Sequence, residues 1–473
     1  TLTLGFRQIE LTADQGMLLN GVPTRVKGIC CHQDHAGVGI AVPKALNRYR
    51  IEKLKAMGCN AYRCAHNAAS EDFLDLCDEL GMLVMAENRH FNPSEDSLSE
   101  LDSLVLRARN HPSVFLYSLF NEEPWQAEER GFRIARRMLR RIRSLDATRA
   151  VTAAMNGGAL TERNASDVLD VAGMNYFIDD YMRYAAHRPG HPMVGTENGP
   201  IYATRGVYRT DPQRQVYDCY GTTTAFFGQR LEDTMEAVET APHVAGLFMW
   251  GGFDYRGEPQ PFEWPSVFSH WGFHDNCGFE KDTAFLLKSY YTNEKMLHLL
   301  PHWNWNPGET VRVCAFTNCP SVRLYLNGRL IGEKAVKRNR AEWQVAFEPG
   351  TLMAEADADG GKIVDSAATA GVPARIDLAN AAEGPFADAL ILNVDLVDER
   401  GVHVPDDDRA VRICIEGGIL LGSGNGDPNG IQLDGSSVQT TFAGRCQFII
   451  RPNGPVRVIA SSDGIPDAVY EIE

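Results

Sequence analysis

Eight short apolar runs, the helical spacing of the segments between them, and a switch to strand-like texture after residue 298 predict an α/β chain. The expected architecture is a (β/α)8 barrel of the TIM type followed by two all-β immunoglobulin-like sandwich domains. The runs are 26–31, 60–64, 82–88, 114–122, 150–155, 171–177, 192–198 and 244–254. They are almost continuously apolar, as strands covered on both faces must be.

The connecting segments carry helix periodicity. Over 126–145, Phe132, Ala135, Leu139, Ile142 and Leu145 recur at steps of three and four, opposite Arg136, Arg137, Arg140 and Arg141. Over 71–80 the same spacing places Phe73, Leu76, Cys77 and Leu80 on one face, with Gly81 as a stop. Gly58 closes the preceding helix in the same way. A doubly wound open sheet is the structural alternative, but no Gly-rich phosphate loop follows the first strand. Beyond residue 298, runs such as TVRVCAFTN and SVRLYLNGRLI alternate and are broken by Asn-Gly and Pro-Gly turns. A second such block starts near Ile376. The expected domains are 1–297 (barrel), 298–373 and 374–473 (sandwiches). Trp303 and Trp305 are expected to pack the barrel against the first sandwich.

Composition narrows the function. The 473 residues carry 46 basic and 62 acidic side chains, a net charge of −16. That argues against nucleic acid and anionic membrane surfaces as partners and suits a neutral substrate. No apolar run reaches membrane-span length. The eleven cysteines show no zinc or disulfide spacing, which leans towards free thiols and a cytoplasmic setting, with a periplasmic or secreted one as the alternative. No cofactor or metal ligand set is evident. The chain opens on TLTLGFRQIEL, which reads as a strand already under way, so something is expected to precede Thr1.

In such a barrel, chemistry gathers at the carboxyl ends of the strands. These ends offer His32, Asp34 and His35; Arg63 and His66; Glu87; Asn121 and Glu122; Asn175 and Tyr176; Glu197; and Trp250 and Asp254. Carboxylates, amides, histidines and aromatics dominate. No Schiff-base lysine and no nucleophile-elbow serine is among them. Hydrolysing a glycosidic bond needs two carboxyl groups, one protonated to assist the leaving group and one to attack the anomeric carbon. Strands four and seven face each other across an eight-stranded barrel, so Glu122 and Glu197 can converge. Retention requires roughly 5–5.5 Å between them.

The stretch NHPSVFLYSLFNEEP (110–124) resembles the acid/base signature of glycoside hydrolase family 2. LNGVPTRVKGICCHQDH, MGCNAYRCAHN, DLCDELGMLVMAEN, VGTENG, GLFMWGGFDY and WGFHDNCGFEKD follow in that family's order. The resemblance implies a retaining exo-β-glycosidase acting on terminal β-linked sugars, first a β-galactosidase. A β-glucuronidase, β-mannosidase or arabinopyranosidase of the same family is the alternative. A non-catalytic carbohydrate-binding fragment is the alternative outside enzymes. It implies Glu122 as general acid/base, Glu197 as nucleophile, and Asn121 on the sugar 2-hydroxyl. Tyr176 would bond the nucleophile, while His32, Arg63, His66, Trp250, Asp34 and Asn276 would line the sugar pocket.

Departures from the family pattern are Asn198, where an aromatic is usual, and Ala86, where Asp is usual. Asn276-Cys277-Gly278 stands where β-glucuronidases carry an Asn-x-Lys pair that grips a carboxylate. Magnesium ligands are not matched near Glu87. The jelly-roll and Ig-like domains that usually precede the barrel are not in this sequence. A further N-terminal segment or a second chain therefore joins the carbohydrate among the expected partners, with room for a homo-oligomer.

Overall fold

The computed structural model describes residues 4–382 and 388–472. The chain divides into two compact units. The first takes the stretches ending at Gln33, 51–201 and 224–252; the second takes Asp34–Arg50, Tyr202–Thr223 and the chain from Phe253 onward.

The first unit holds the barrel. Its strands are β1 (Val26–Cys31), β2 (Ala61–Cys64), β3 (Leu83–Glu87), β4 (Val114–Asn121), β5 (Ala150–Met155), β6 (Ala172–Asn175), β7 (Met193–Asn198) and β8 (Val244–Trp250). They close into a barrel of parallel strands, β8 pairing with β1 and β6 with β7. Nearly every strand residue is buried, which explains the absence of alternation in the sequence. A short antiparallel sheet (Ile9–Thr12, Gly16–Leu19, Val22–Pro23) precedes β1, so the opening strand expected from the sequence is half of a hairpin.

Helices α1 (Lys44–Ala56), α2 (Glu71–Leu80), α3 (Glu95–Ala108), α4 (Glu129–Leu145), α5 (Asp179–His187), α6 (Leu231–Glu239) and α7 (Asp282–Tyr291) fill the gaps. In α2 the Ser70 hydroxyl accepts from Phe73 N, a cap worth about 1 kcal/mol. Glu71 and Asp72 oppose the dipole, and Gly81 ends the helix at φ 70°, donating to the Cys77 carbonyl. In α4 the buried stripe is Gly131, Ile134, Ala135, Met138 and Ile142. It is turned from the expected one because Phe132 lies at the helix edge under Arg136 and Arg163.

In the second unit, residues 297–368 form a three-stranded and a four-stranded antiparallel sheet. Their inner faces share a core that includes Val313, Leu324, Trp343 and Leu352. The Asn327-Gly328 turn, with φ of 52° and 77°, is the hairpin turn that the sequence pattern demands. Trp303 is fully buried in this same core, its indole donating to the Glu348 carbonyl, so it serves the sandwich itself. The strands from Arg375 onward form one continuous six-stranded antiparallel network. Two long strands, Ala410–Gly424 and Arg445–Ser462, run through it, with register breaks around Gly417 and Leu421. Those breaks bend the network over the core of Leu392, Val394, Val411, Phe448 and Val458.

Ten of the eleven cysteines are buried and all are free thiols. Among the described residues, no helix is long and apolar enough to cross a membrane.

Candidate active site

The site is organised around Arg63, at the end of β2 and completely buried. Its Nε and Nη2 donate to Glu87 Oε2 and Oε1 at 2.9 and 3.0 Å. Nη1 donates to Glu197 Oε2 at 2.6 Å and to the Thr196 carbonyl at 3.0 Å. Nη2 also reaches Asn121 Oδ1 at 2.7 Å. One guanidinium therefore ties together the ends of β2, β3, β4 and β7, using the fixed fork that lysine lacks.

Glu87 is the anchor of that network. It accepts from Arg63, from Ser118 Oγ at 2.9 Å, and from His66 Nδ1 at 2.7 Å. Burial alone would raise its pKa, but the Arg63 and His66 partners outweigh it and bring the carboxyl down to about 2. An ionised Glu87 can only accept, so His66 carries its proton on Nδ1 and keeps Nε2 for other work. Glu87 thus holds Arg63 and His66 in place from behind, as a support for both. His66 stacks on Trp250 at 5.4 Å, and His32 meets both rings edge-on at 5.5 and 5.3 Å.

Glu197 sits near the end of β7, 3% exposed. Besides Arg63 it accepts from the Tyr176 hydroxyl. The register of β7 slips between Gly195 and Asn198 against both neighbouring strands, and Glu197 and Asn198 are both buried, as is the whole of this strand. Asn198, in place of the usual aromatic, accepts from Tyr181 Oη at 2.8 Å and reaches the Phe248 carbonyl at 3.4 Å. A polar brace between α5 and β8 thus backs the residue after Glu197. Ala86, the other departure, is buried in β3.

Glu122, just past β4, has different surroundings. Its side chain accepts one hydrogen bond, from Asn175 Nδ2 at 2.8 Å. Thr196 Oγ1 donates to Asn175 Oδ1 at 2.6 Å, which fixes the amide so that its NH2 must face Glu122 and Asn121. Burial first, and then the charge of Glu197, push the Glu122 carboxyl up to about 7. Glu122 and Tyr176 both hold left-handed backbone, φ 52° and 64°, which costs a non-glycine residue of order 1 kcal/mol or more. Such backbone strain clusters at functional positions.

Eight of the ten site residues expected from the sequence belong to this unit: Glu122, Glu197, Asn121, His32, Arg63, His66, Tyr176 and Trp250. Asp34 and Asn276 belong to the second. There Asp34 Oδ2 accepts from Arg256 N at 3.0 Å, and Asn276 is buried with an Oδ1 that has no hydrogen-bond partner. Asp254 is also in the second unit, paired with Lys281 at 2.6 Å in a buried structural contact. Asn175 and Thr196 complete the site. Asn175 is visible in the sequence as a strand-end amide, whereas the role of Thr196 rests on a hydroxyl direction that no pattern encodes.

Comparison with known proteins assigns the barrel to a family. Residues 9–94 and 92–264 match the TIM-barrel domain model of glycosyl hydrolases family 2. The chain belongs to glycoside hydrolase family 2. Residues 380–471 match the C-terminal domain 5 of the same family, and 308–365 match a domain of unknown function. Over its whole length this family 2 chain is 32% identical to the β-galactosidase BoGH2A of Bacteroides ovatus, of which it covers 64%. It is 24% identical over 98% of its length to a β-glucuronidase of Formosa agariphila, of which it covers 49%. A solved β-glycosidase from Bacteroides vulgatus superposes on all of it with a TM-score of 0.89 and 27% identity, the chain covering 67% of that structure. The chain thus spans between about half and two thirds of these relatives.

Proposed function

We propose that the protein is a retaining exo-β-glycosidase, and that its best substrate is a terminal β-galactoside. The observation that carries this reading is the contrast between two carboxyl groups at one barrel mouth. Glu122 is pushed up to about 7, able to hold a proton near neutrality. Glu197 accepts charge-assisted bonds from Arg63 and the Tyr176 hydroxyl, which aim one carboxylate and stabilise its charge.

In the first step Glu197 attacks the anomeric carbon while Glu122 gives its proton to the departing oxygen. A covalent glycosyl–enzyme forms, and the negative charge at Glu197 is lost. One cause of the raised Glu122 pKa disappears with it, so Glu122 becomes a better base for the incoming water. Asn121 Oδ1 is taken by Arg63 and Asn175, and its Nδ2 bonds no described residue, which suits a donor to a sugar hydroxyl. His66, His32 and Trp250 offer ring faces and edges for the C–H surface of the sugar.

The choice of galactose over glucuronate rests on the sequence, where Asn276-Cys277-Gly278 stands in place of the Asn-x-Lys pair of β-glucuronidases. Wild-type enzyme assayed on a panel of aryl β-glycosides is expected to turn over the galactoside fastest and the glucuronide least. Turnover of none of them would sink the glycosidase reading, and preference for the glucuronide would sink the choice of sugar.

A further inference from the structure

Beyond the catalytic residues, the loops after β4, β6 and β7 each carry an exposed aromatic. Phe226 is 97% exposed, Phe177 47% and Trp125 40%. Scattered apolar side chains are ordinary on a surface, so exposure alone decides nothing. What distinguishes Phe226 is how its turn is held. Thr224 bridges to Ile201, Ala225 N donates to the Pro200 carbonyl at 3.1 Å, and Gly228 N donates to the Ala225 carbonyl at 2.9 Å. A Cβ at Gly228 would strike Pro200 Cγ at 2.7 Å. The turn is therefore fastened to the residues that directly follow Glu197.

From that turn Phe227 points inward, its ring tilted steeply onto Tyr176 at 4.9 Å. Phe226 meets Phe227 edge-on, also at 4.9 Å. Tyr176 donates to Glu197. A series of three rings thus leads from the nucleophile to solvent, and Phe177, the residue after Tyr176, is exposed as well. Trp125 is already engaged, with Arg130 over its ring at 4.2 Å, so the free faces belong to Phe177 and Phe226.

Phenylalanine offers a flat apolar face and no donor or acceptor. A sugar held beyond the scissile bond needs hydrogen-bonding groups that neither ring supplies; a planar apolar group does not. We propose that Phe177 and Phe226 form a leaving-group subsite that takes an aryl aglycone rather than a second sugar. The inference rests on the glycosidase reading given above.

Its test uses the glycone that the aryl panel selects, presented as an aryl glycoside, a disaccharide and a glycosyl fluoride, which has no aglycone to bind. The readout is kcat/KM for each substrate relative to the fluoride. In Phe226→Ala and Phe177→Ala the aryl-to-fluoride ratio is expected to fall about three- to tenfold, as for loss of one aromatic contact. Phe226→Trp, which keeps a ring face, should hold the ratio within about twofold of wild type on the same scale. An unchanged ratio in the Phe177→Ala/Phe226→Ala double variant would overturn the subsite. An equal fall in the disaccharide-to-fluoride ratio would overturn its preference for aryl groups. Wild-type enzyme inert on fluoride and aryl glycoside alike would instead fail the glycosidase reading itself.

Discussion

The two walls of the barrel mouth use the same side chain in opposite ways. On the wall around Glu87 and Glu197, the two carboxylates share the Arg63 guanidinium, and Ser118, His66 and Tyr176 supply further donors. On the wall around Glu122, the carboxyl receives one amide donor. The first wall is rich in donors and stabilises negative charge; the second withholds them and stabilises a proton. Strand position alone does not separate the two proposed roles of acid and nucleophile. The supply of donors is what distinguishes the two carboxyl groups.

The largest effect is expected from removing the attacking group. Glu197→Gln should cut kcat on an aryl glycoside by more than about 10^4-fold, because no neighbouring carboxylate can take over the attack. Measurable steady-state turnover near the wild-type rate would dissolve the contrast between the walls. Next comes Glu122→Ala. It should lower kcat/KM about 10^2- to 10^4-fold on an unactivated disaccharide, and much less on an aryl glycoside whose leaving group needs no proton. Added azide should restore turnover on the activated substrate and yield the β-glycosyl azide. Full activity on the disaccharide would remove Glu122 from the acid role.

Arg63→Met probes the donor-rich wall through stability. It strands buried Glu87, so calorimetry at pH 7 should show a loss of about 3–5 kcal/mol. The pH dependence should change sign as well. In wild type the lowered Glu87 pKa contributes stability that is complete above about pH 4.5 and is lost as pH falls towards about 2. In Arg63→Met the unpaired buried carboxyl should make acid favourable over the same interval. Parallel pH curves for the two proteins would mean that Glu87 does not depend on Arg63.

Glu122→Gln gives the smallest effect, and its sign is opposite. A raised folded-state pKa costs stability as pH climbs from about 4.5 through about 7. The amide should therefore stabilise the protein by about 1–3 kcal/mol at pH 8 and leave it unchanged at pH 4. Equal unfolding temperatures at pH 8 would contradict the withheld-donor account.

Much of this was legible in the sequence, for identifiable reasons. Strands buried on both faces have no alternation to disguise them, so β1 to β8 and the residues at their ends could be read directly. Residues 110–124 carried both the end of β4 and the family resemblance. Several features left no such mark. The slip in β7 between Gly195 and Asn198 depends on two neighbouring strands at once. The left-handed backbone of Glu122 and Tyr176 falls on residue types that rarely signal it. Tertiary context turned the stripe of α4 and drew Trp303 into the sandwich core. The resemblance grouped Asp34 and Asn276 with the other pocket residues, yet both belong to the second compact unit.

The central claim is that burial and the charge of Glu197 together raise the proton affinity of Glu122. It is tested most directly by 13C NMR titration of the Glu122 carboxyl, assigned with Glu122→Gln, in wild type and in Glu197→Gln. The account predicts titration near 7 in wild type, and a clear downward shift once the Glu197 charge is gone. A Glu122 that titrates in the ordinary carboxylate range in wild type, or that does not move in Glu197→Gln, would contradict it.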